Sequence, residues 1–161
     1  MPNHREFLQP TPQTNDTFLR SRLYPTSGTS PTTVKVHTRA GTTDPQDNRF
    51  TCVESVFDGA AVQPHIHDVH IVLKHGRHTS HFRVFFKCHV RLPANPHLLH
   101  IRGDLLIMRI ASRNAKSVVN MRPSDQKLAD FVAARISQNI ANFQSQERRP
   151  VPPKVNLQRS W

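Results

Sequence analysis

Residues 65–92 read HIHDVHIVLKHGRHTSHFRVFFKCHVRL. The tetrapeptide His75-Gly76-Arg77-His78 lies near its middle, and glycine adopts φ > 0 without steric cost. On either side of it, apolar residues alternate with polar ones, the period-two pattern of half-buried strands. The stretch therefore predicts two antiparallel strands, His65 to Lys74 and Ser80 to Leu92, joined by a two-residue turn at Gly76-Arg77.

That turn dictates the register, and a slip of one residue would exchange the faces completely. His75 pairs with His78. One face then carries Val69, Ile71 and Leu73 opposite Val84, Phe82 and Ser80, and continues through Phe86, Cys88, Val90 and Leu92. This is the expected core face. The other face carries His70, Val72, Lys74, His81, Arg83, Phe85, Lys87, His89 and Arg91, with His70 beside Arg83 and Asp68 beside Phe85. It is basic and has an aromatic in its middle.

Working outward, Val34, Val36 and Thr38 alternate with Lys35, His37 and Arg39 and predict an earlier strand. Phe50 to Phe57, Leu98 to Ile101, Asp104 to Ser112 and Val118-Val119 predict further strands, with a turn at Asn114-Ala115-Lys116. The last element changes period. Leu128, Phe131, Val132, Ile136, Ile140 and Phe143 form one apolar stripe at helical spacing, predicting a helix over 124–143. Ser124 is the expected N-cap, with Asp125 suited to the positive helix end and Pro123 just before it. Residues 1–32 are rich in Pro, Ser, Thr, Asn and Gln and read as a disordered leader. Residues 144–161 form a Pro-rich basic tail in which Pro150-x-x-Pro153-Lys154 matches a weak SH3-type ligand. The expected organisation is a single small α+β domain over 33–143, an antiparallel meander in a bent sheet or half-barrel closed by a C-terminal amphipathic helix. This order of strands and closing helix resembles the pleckstrin-homology superfold. The resemblance implies a fold and no function.

The formal net charge is +11, and its distribution matters more than its size. Residues 74–122 hold ten Lys and Arg against one acid, Asp104, so the folded segment carries the charge. Such a balance favours anionic partners, either nucleic acid or phosphoinositide headgroups. On the basic face, Arg and Lys can hold phosphates while a base or headgroup stacks on Phe85. The candidate anion-binding residues are Lys35, Arg39, Lys74, Arg77, His81, Arg83, Phe85, Lys87, His89 and Arg91. Lys35 and Arg39 join the set if their strand presents its polar side on the same face. The alternative is a solvated strand face with Phe85 covered by a loop or the helix. The paired aromatics and glycine of an RNA-recognition motif are absent.

His65-x-His67 projects two imidazoles to one side of a strand, and the register places Cys88 opposite His65. A His65, His67, Cys88 set has the donor chemistry of a zinc or copper site. The competing reading gives no cofactor, two core cysteines and sheet-end histidines. Two cysteines are too few for a disulfide framework, and no run reaches the ~18 apolar residues of a membrane helix. A cytoplasmic or nuclear location is the default for such a composition. Acids inside the fold are scarce, there is no G-x-S-x-G, P-loop or G-x-G-x-x-G, and Cys88 and His89 point to opposite strand faces. The expectation is a non-enzymatic binding module for anionic partners. Its rivals are a protein-interaction or scaffold domain with incidental charge and a small metal-binding protein.

Overall fold

The hairpin forms in the expected register. In the computed structural model, which describes residues 16–39, 50–57, 65–87, 89–111 and 117–147, β4 (Ile66–His75) and β5 (His78–Lys87) pair antiparallel from Ile66↔Lys87 to His75↔His78. Gly76 has φ +60°, the positive φ that a type II′ turn requires at its first central position.

Five further strands complete an antiparallel sheet: β1 (Asp16–Tyr24), β2 (Thr32–Arg39), β3 (Phe50–Cys52), β6 (Leu105–Ile110) and β7 (Val118–Val119). Their spatial order is β3-β2-β1-β6-β5-β4, with β7 also paired to β6. The sheet is thus two three-strand meanders joined through β1 and β6, open at β3 and β4. Helix α1 (Pro123–Glu147) closes one face. The architecture is α+β, as the patterning predicts.

The core lies on both sides of the sheet. On the helix side, Phe82, Val84, Leu105 and Ile107 pack with Tyr24, Leu98, Ile101 and Met121 against Ala129, Val132 and Ala133 of α1. The small alanines let the helix axis approach the sheet, and Leu128, Ile136 and Ile140 flank them. On the opposite side, Phe85, Leu106, Met108 and Ile110 pack with Leu19, Val36 and Val118 under Val53 and Phe57. Leu105 through Met108 are fully buried, so β6 is apolar on both faces.

Several local expectations change. β1 lies inside the segment read as a leader. Its alternation of Leu19, Ser21 and Leu23 with Phe18, Arg20 and Arg22 is genuine strand patterning set among residues typical of loops. Residues 1–15 and 148–161, including the Pro150–Pro153 motif, lie outside the described residues, as do the 114–116 turn, Cys88 and the Phe143 side chain. β5 stops at Lys87 instead of Leu92, because neither β4 nor β6 continues beside it to accept its hydrogen bonds. The Phe50–Phe57 strand shortens to β3, followed by a 3₁₀ turn at Glu54–Val56 that turns Val53 and Phe57 inward.

Leu98 to Ile101 is a turn and not a strand. The buried Asn95 amide donates to the Tyr24 and Gly103 carbonyls at 2.9 and 3.0 Å and accepts from the His97 N–H, which holds the chain off the sheet. The helix starts at Pro123, one residue before the expected cap, and extends past residue 143 to Glu147. Asp125, not Ser124, serves its first turn: its carboxylate accepts the Arg122 N–H at 2.9 Å. Phe131 leaves the stripe. It is 51 % exposed, with the Arg135 guanidinium 6.0 Å from its ring centroid.

Removing the two phenylalanines whose burial reverses the sequence expectation should have very different consequences. Phe85→Ala empties a core site and should cost about 3–5 kcal/mol in urea unfolding. Phe131→Ala should stay within about 1 kcal/mol, since it loses only exposed area and a weak cation–π contact. A Phe85→Ala protein as stable as the wild type would return Phe85 to the surface.

Candidate anion-binding surface

The outer face of β5 does not form the platform that its sequence suggests. Phe85 is 3 % exposed and belongs to the second core, covered by the segment after β3. The Arg83 guanidinium lies 5.1 Å from its ring centroid and is held by both oxygens of Asp68, with Nε contacts of 3.0 and 2.9 Å. This is a diagonal cross-strand ion pair. Lys87 Nζ donates to the Phe57 carbonyl at 3.3 Å. The charge in the middle of this face is therefore used internally.

The remaining predicted residues scatter. Lys74 and Arg77 are exposed at the hairpin tip. His89 and Arg91 belong to the turn after β5, where His89 Nδ1 accepts the Arg91 N–H at 3.1 Å. Lys35 and Arg39 lie on β2, separated from β5 by β1 and β6. The register also places them on the other face. Lys35 pairs with Arg20, Arg22 pairs with Ile107, and Ile107 pairs with Val84, so all share the helix side of the sheet.

Of the proposed metal ligands, only the two histidines fall within the described residues. His65 is exposed, His67 stacks on Phe86 with centroids 5.2 Å apart, and Cys88 lies outside the described residues. Among the described residues, no three His, Cys, Asp or Glu side chains come close enough to hold a metal ion.

A different basic site arises where the sheet forks. One edge of β6 is lined by β5. The other edge is shared: β1 pairs with Leu105–Ile107, and β7 pairs with Arg109 and Ile110. Beyond Arg22, β1 therefore leaves β6 and runs on with β2. Its Arg20 carbonyl accepts the Met121 N–H at 3.0 Å, and its Arg20 N–H donates to Asn120 Oδ1 at 2.8 Å. The angle of the fork holds a cleft of about 480 Å³ lined by Arg20, Arg109, Val119, Asn120, Arg122 and Asp125, among others.

The three arginines are not equivalent. Arg109 is a structural cation: it pairs with Asp125 at 3.5 Å, donates to the His81 carbonyl at 2.8 Å and lies over the Phe82 ring. Arg20 and Arg122 are exposed and have no ion-pair partner among the described residues. The cleft thus keeps a surplus of two positive charges after Asp125 is counted. The first turn of α1 flanks it, and the helix dipole adds to the positive potential there.

Outward from the cleft, β1 and β2 form a ledge on the same face. Arg20 lies opposite Lys35, and Phe18 lies opposite His37. Phe18 is 63 % exposed, and its ring stacks on His37 with centroids 5.1 Å apart. Phe18 and Arg20 escape the sequence analysis, because β1 sits among residues typical of a leader. The signal was the alternation of Phe18, Arg20 and Arg22 itself.

A second cleft, of about 590 Å³, lies between the 94–102 loop and Gln144. Arg102 in its lining already donates to the Leu92 carbonyl. Among the described residues, no helix is long and apolar enough to cross a membrane.

Comparison with known proteins found no matching family model, no matching curated protein and no matching solved structure. The pleckstrin-homology resemblance finds no support in these comparisons, and the site rests on its own geometry.

One histidine pair has a measurable consequence. His70 Nε2 and His81 Nδ1 are 3.1 Å apart across β4 and β5, a contact that needs at least one neutral ring. Burial, then the neighbouring His70 charge, then Arg109 push the His81 pKa below its ordinary 6.5. The unfolded chain then binds the proton more readily than the fold does. The stability from neutral His81 is present above about pH 6.5 and is lost as pH falls towards the folded value. Urea midpoints measured between pH 7.5 and 5 should fall for the wild type and fall less for His81→Gln. Identical slopes would remove His81 as a contributor.

Proposed function

We propose that this protein is a non-enzymatic binding module that takes anionic partners on a positively charged face of its sheet. The working part of that face is the fork cleft with its ledge, rather than the outer side of β5. The single observation that carries this reading is the convergence of Arg20 and Arg122 at one cleft, with Lys35 opposite Arg20 on the adjoining strand, all three cations without acid partners among the described residues. Guanidinium groups match phosphate and carboxylate oxygens in bidentate geometry, and a cleft of one sign concentrates the field. A reducing compartment, cytosol or nucleus, suits a chain with two cysteines.

A second reading has its own support. Among the described residues, β4 is an edge strand, and it exposes Val69 and Val72 at 39 and 48 %. Such an edge suits a protein partner that adds a strand, with the charge incidental.

Salt separates the two. Binding of the full chain to heparin should weaken steeply as salt rises from 50 to 200 mM. Arg20→Glu combined with Arg122→Glu should cost more than tenfold and flatten the salt dependence by about one to two units of log–log slope. Arg83→Ala, which removes a cation already neutralised by Asp68, should change affinity by less than about twofold. Salt-insensitive binding, or a double variant equal to the wild type, rejects the electrostatic reading.

A further inference from the structure

We infer that the anionic partner is a single-stranded nucleic acid, with a base stacked on Phe18 and its backbone phosphate in the Arg20–Arg122 cleft. This rests on the proposed anion-binding function and narrows it to one class of ligand. Phe18 is an exposed aromatic on a strand whose next same-face residue, Arg20, lines the cleft. Two residues along a strand are about 7 Å apart. That is the scale on which a base and its own phosphate are separated. The ring already leans on His37, so one face is occupied and the 63 % exposure leaves the other open. Lys35, opposite Arg20, places a further cation on the same side.

The combination selects among polyanions. Inorganic polyphosphate and heparin offer no flat π-face and gain nothing from Phe18. An inositol ring is saturated and gains no stacking either. A duplex keeps its bases stacked on each other, so none can lie on a side chain without being extruded. An unpaired base has both faces available, and every base has a π-face, so this mode tolerates any sequence.

The test uses the full chain, a labelled twelve-nucleotide oligo-dT, the matching oligo-U, a twelve-base-pair duplex and inorganic polyphosphate. Anisotropy should show oligo-dT or oligo-U bound more tightly than the duplex, and whichever of the two binds better separates DNA from RNA. Phe18→Ala should weaken the better oligonucleotide roughly tenfold while leaving polyphosphate within twofold. Phe18→Trp should preserve or tighten it, and an unchanged thermal midpoint in both variants confirms the fold. If Phe18→Ala leaves oligonucleotide binding intact while Arg20→Glu with Arg122→Glu abolishes it, the stacking inference is overturned and the anion-binding function stands. An equal loss of polyphosphate in Phe18→Ala overturns it as well, since the effect then lies in the surface as a whole. Binding of every probe unaffected by the arginine reversals removes both.

Discussion

Leu105, Leu106, Ile107 and Met108 are all fully buried, two on each side of the sheet. A strand apolar on both faces needs two covers, because leaving either side wet would expose a large hydrophobic area. The chain supplies them from opposite directions in sequence. Helix α1 follows β6 and covers one side with Ala129, Val132 and Ala133. The short β3 and its 3₁₀ turn precede the hairpin and cover the other with Val53 and Phe57. The hairpin and the β1–β2 meander then protect the two edges of β6.

The same constraint creates the cleft. β6 has one long edge for β5, but its other edge must serve both β1 and β7. β7 has to return to the sheet because α1 must start on the helix side, with Met121 tied to the Arg20 carbonyl. β1 is therefore displaced beyond Arg22. A gap between strands of one sheet would leave backbone groups unpaired, and here Asn120 and Met121 satisfy both polar groups of Arg20. The opening that remains is set by topology, and its side walls are residues from the middle of β1, the end of β6 and the link to the helix. Three of those are arginines.

Much of the fold was legible because its strongest signals are local. Gly76 fixes the turn, the turn fixes the register, and the register correctly assigns Phe82 and Val84 to the helix-facing core. The helical stripe likewise follows from spacing alone. What stayed hidden depends on distant partners. Phe85 stands between Arg83 and Lys87 on its strand face, so alternation marks it as solvent-facing. Its cover comes from Val53 and Phe57, about thirty residues earlier, and no periodicity within β5 announces that. β1 is obscured by its setting: residues 1–32 are rich in proline, serine and threonine, yet nine of them form a strand that pairs through Asp16–Leu23 with β2 and through Arg22–Tyr24 with β6. The candidate site was missed for the same reason, since Phe18 and Arg20 lie in that strand.

The count of positive charges in a sequence therefore measures supply and not potential. Arg22 and Arg83 are each held by an aspartate, Arg109 by Asp125 and a carbonyl, and Arg102 and Lys87 by carbonyls. A paired cation contributes little field at a distance and resists capture by a ligand, because the ligand must first replace the partner. The one acid in the most basic stretch, Asp104, accepts instead from the Thr26 N–H and hydroxyl, at 2.7 and 2.9 Å, and pairs with no arginine among the described residues. The acids that do neutralise are elsewhere: Asp68 on β4, Asp125 and Asp130 on α1. Their placement silences the centre of the hairpin and the helix-covered part of β1. Exposed cations without an ion-pair partner among the described residues remain in more than one place, Lys74 and Arg77 at the hairpin tip among them; Arg20 and Lys35 on β1 and β2, with Arg122 just before the helix, are those at the fork cleft and its ledge. Charge, cleft and exposed aromatic coincide there because one feature, the departure of β1 from β6, uncovers all three.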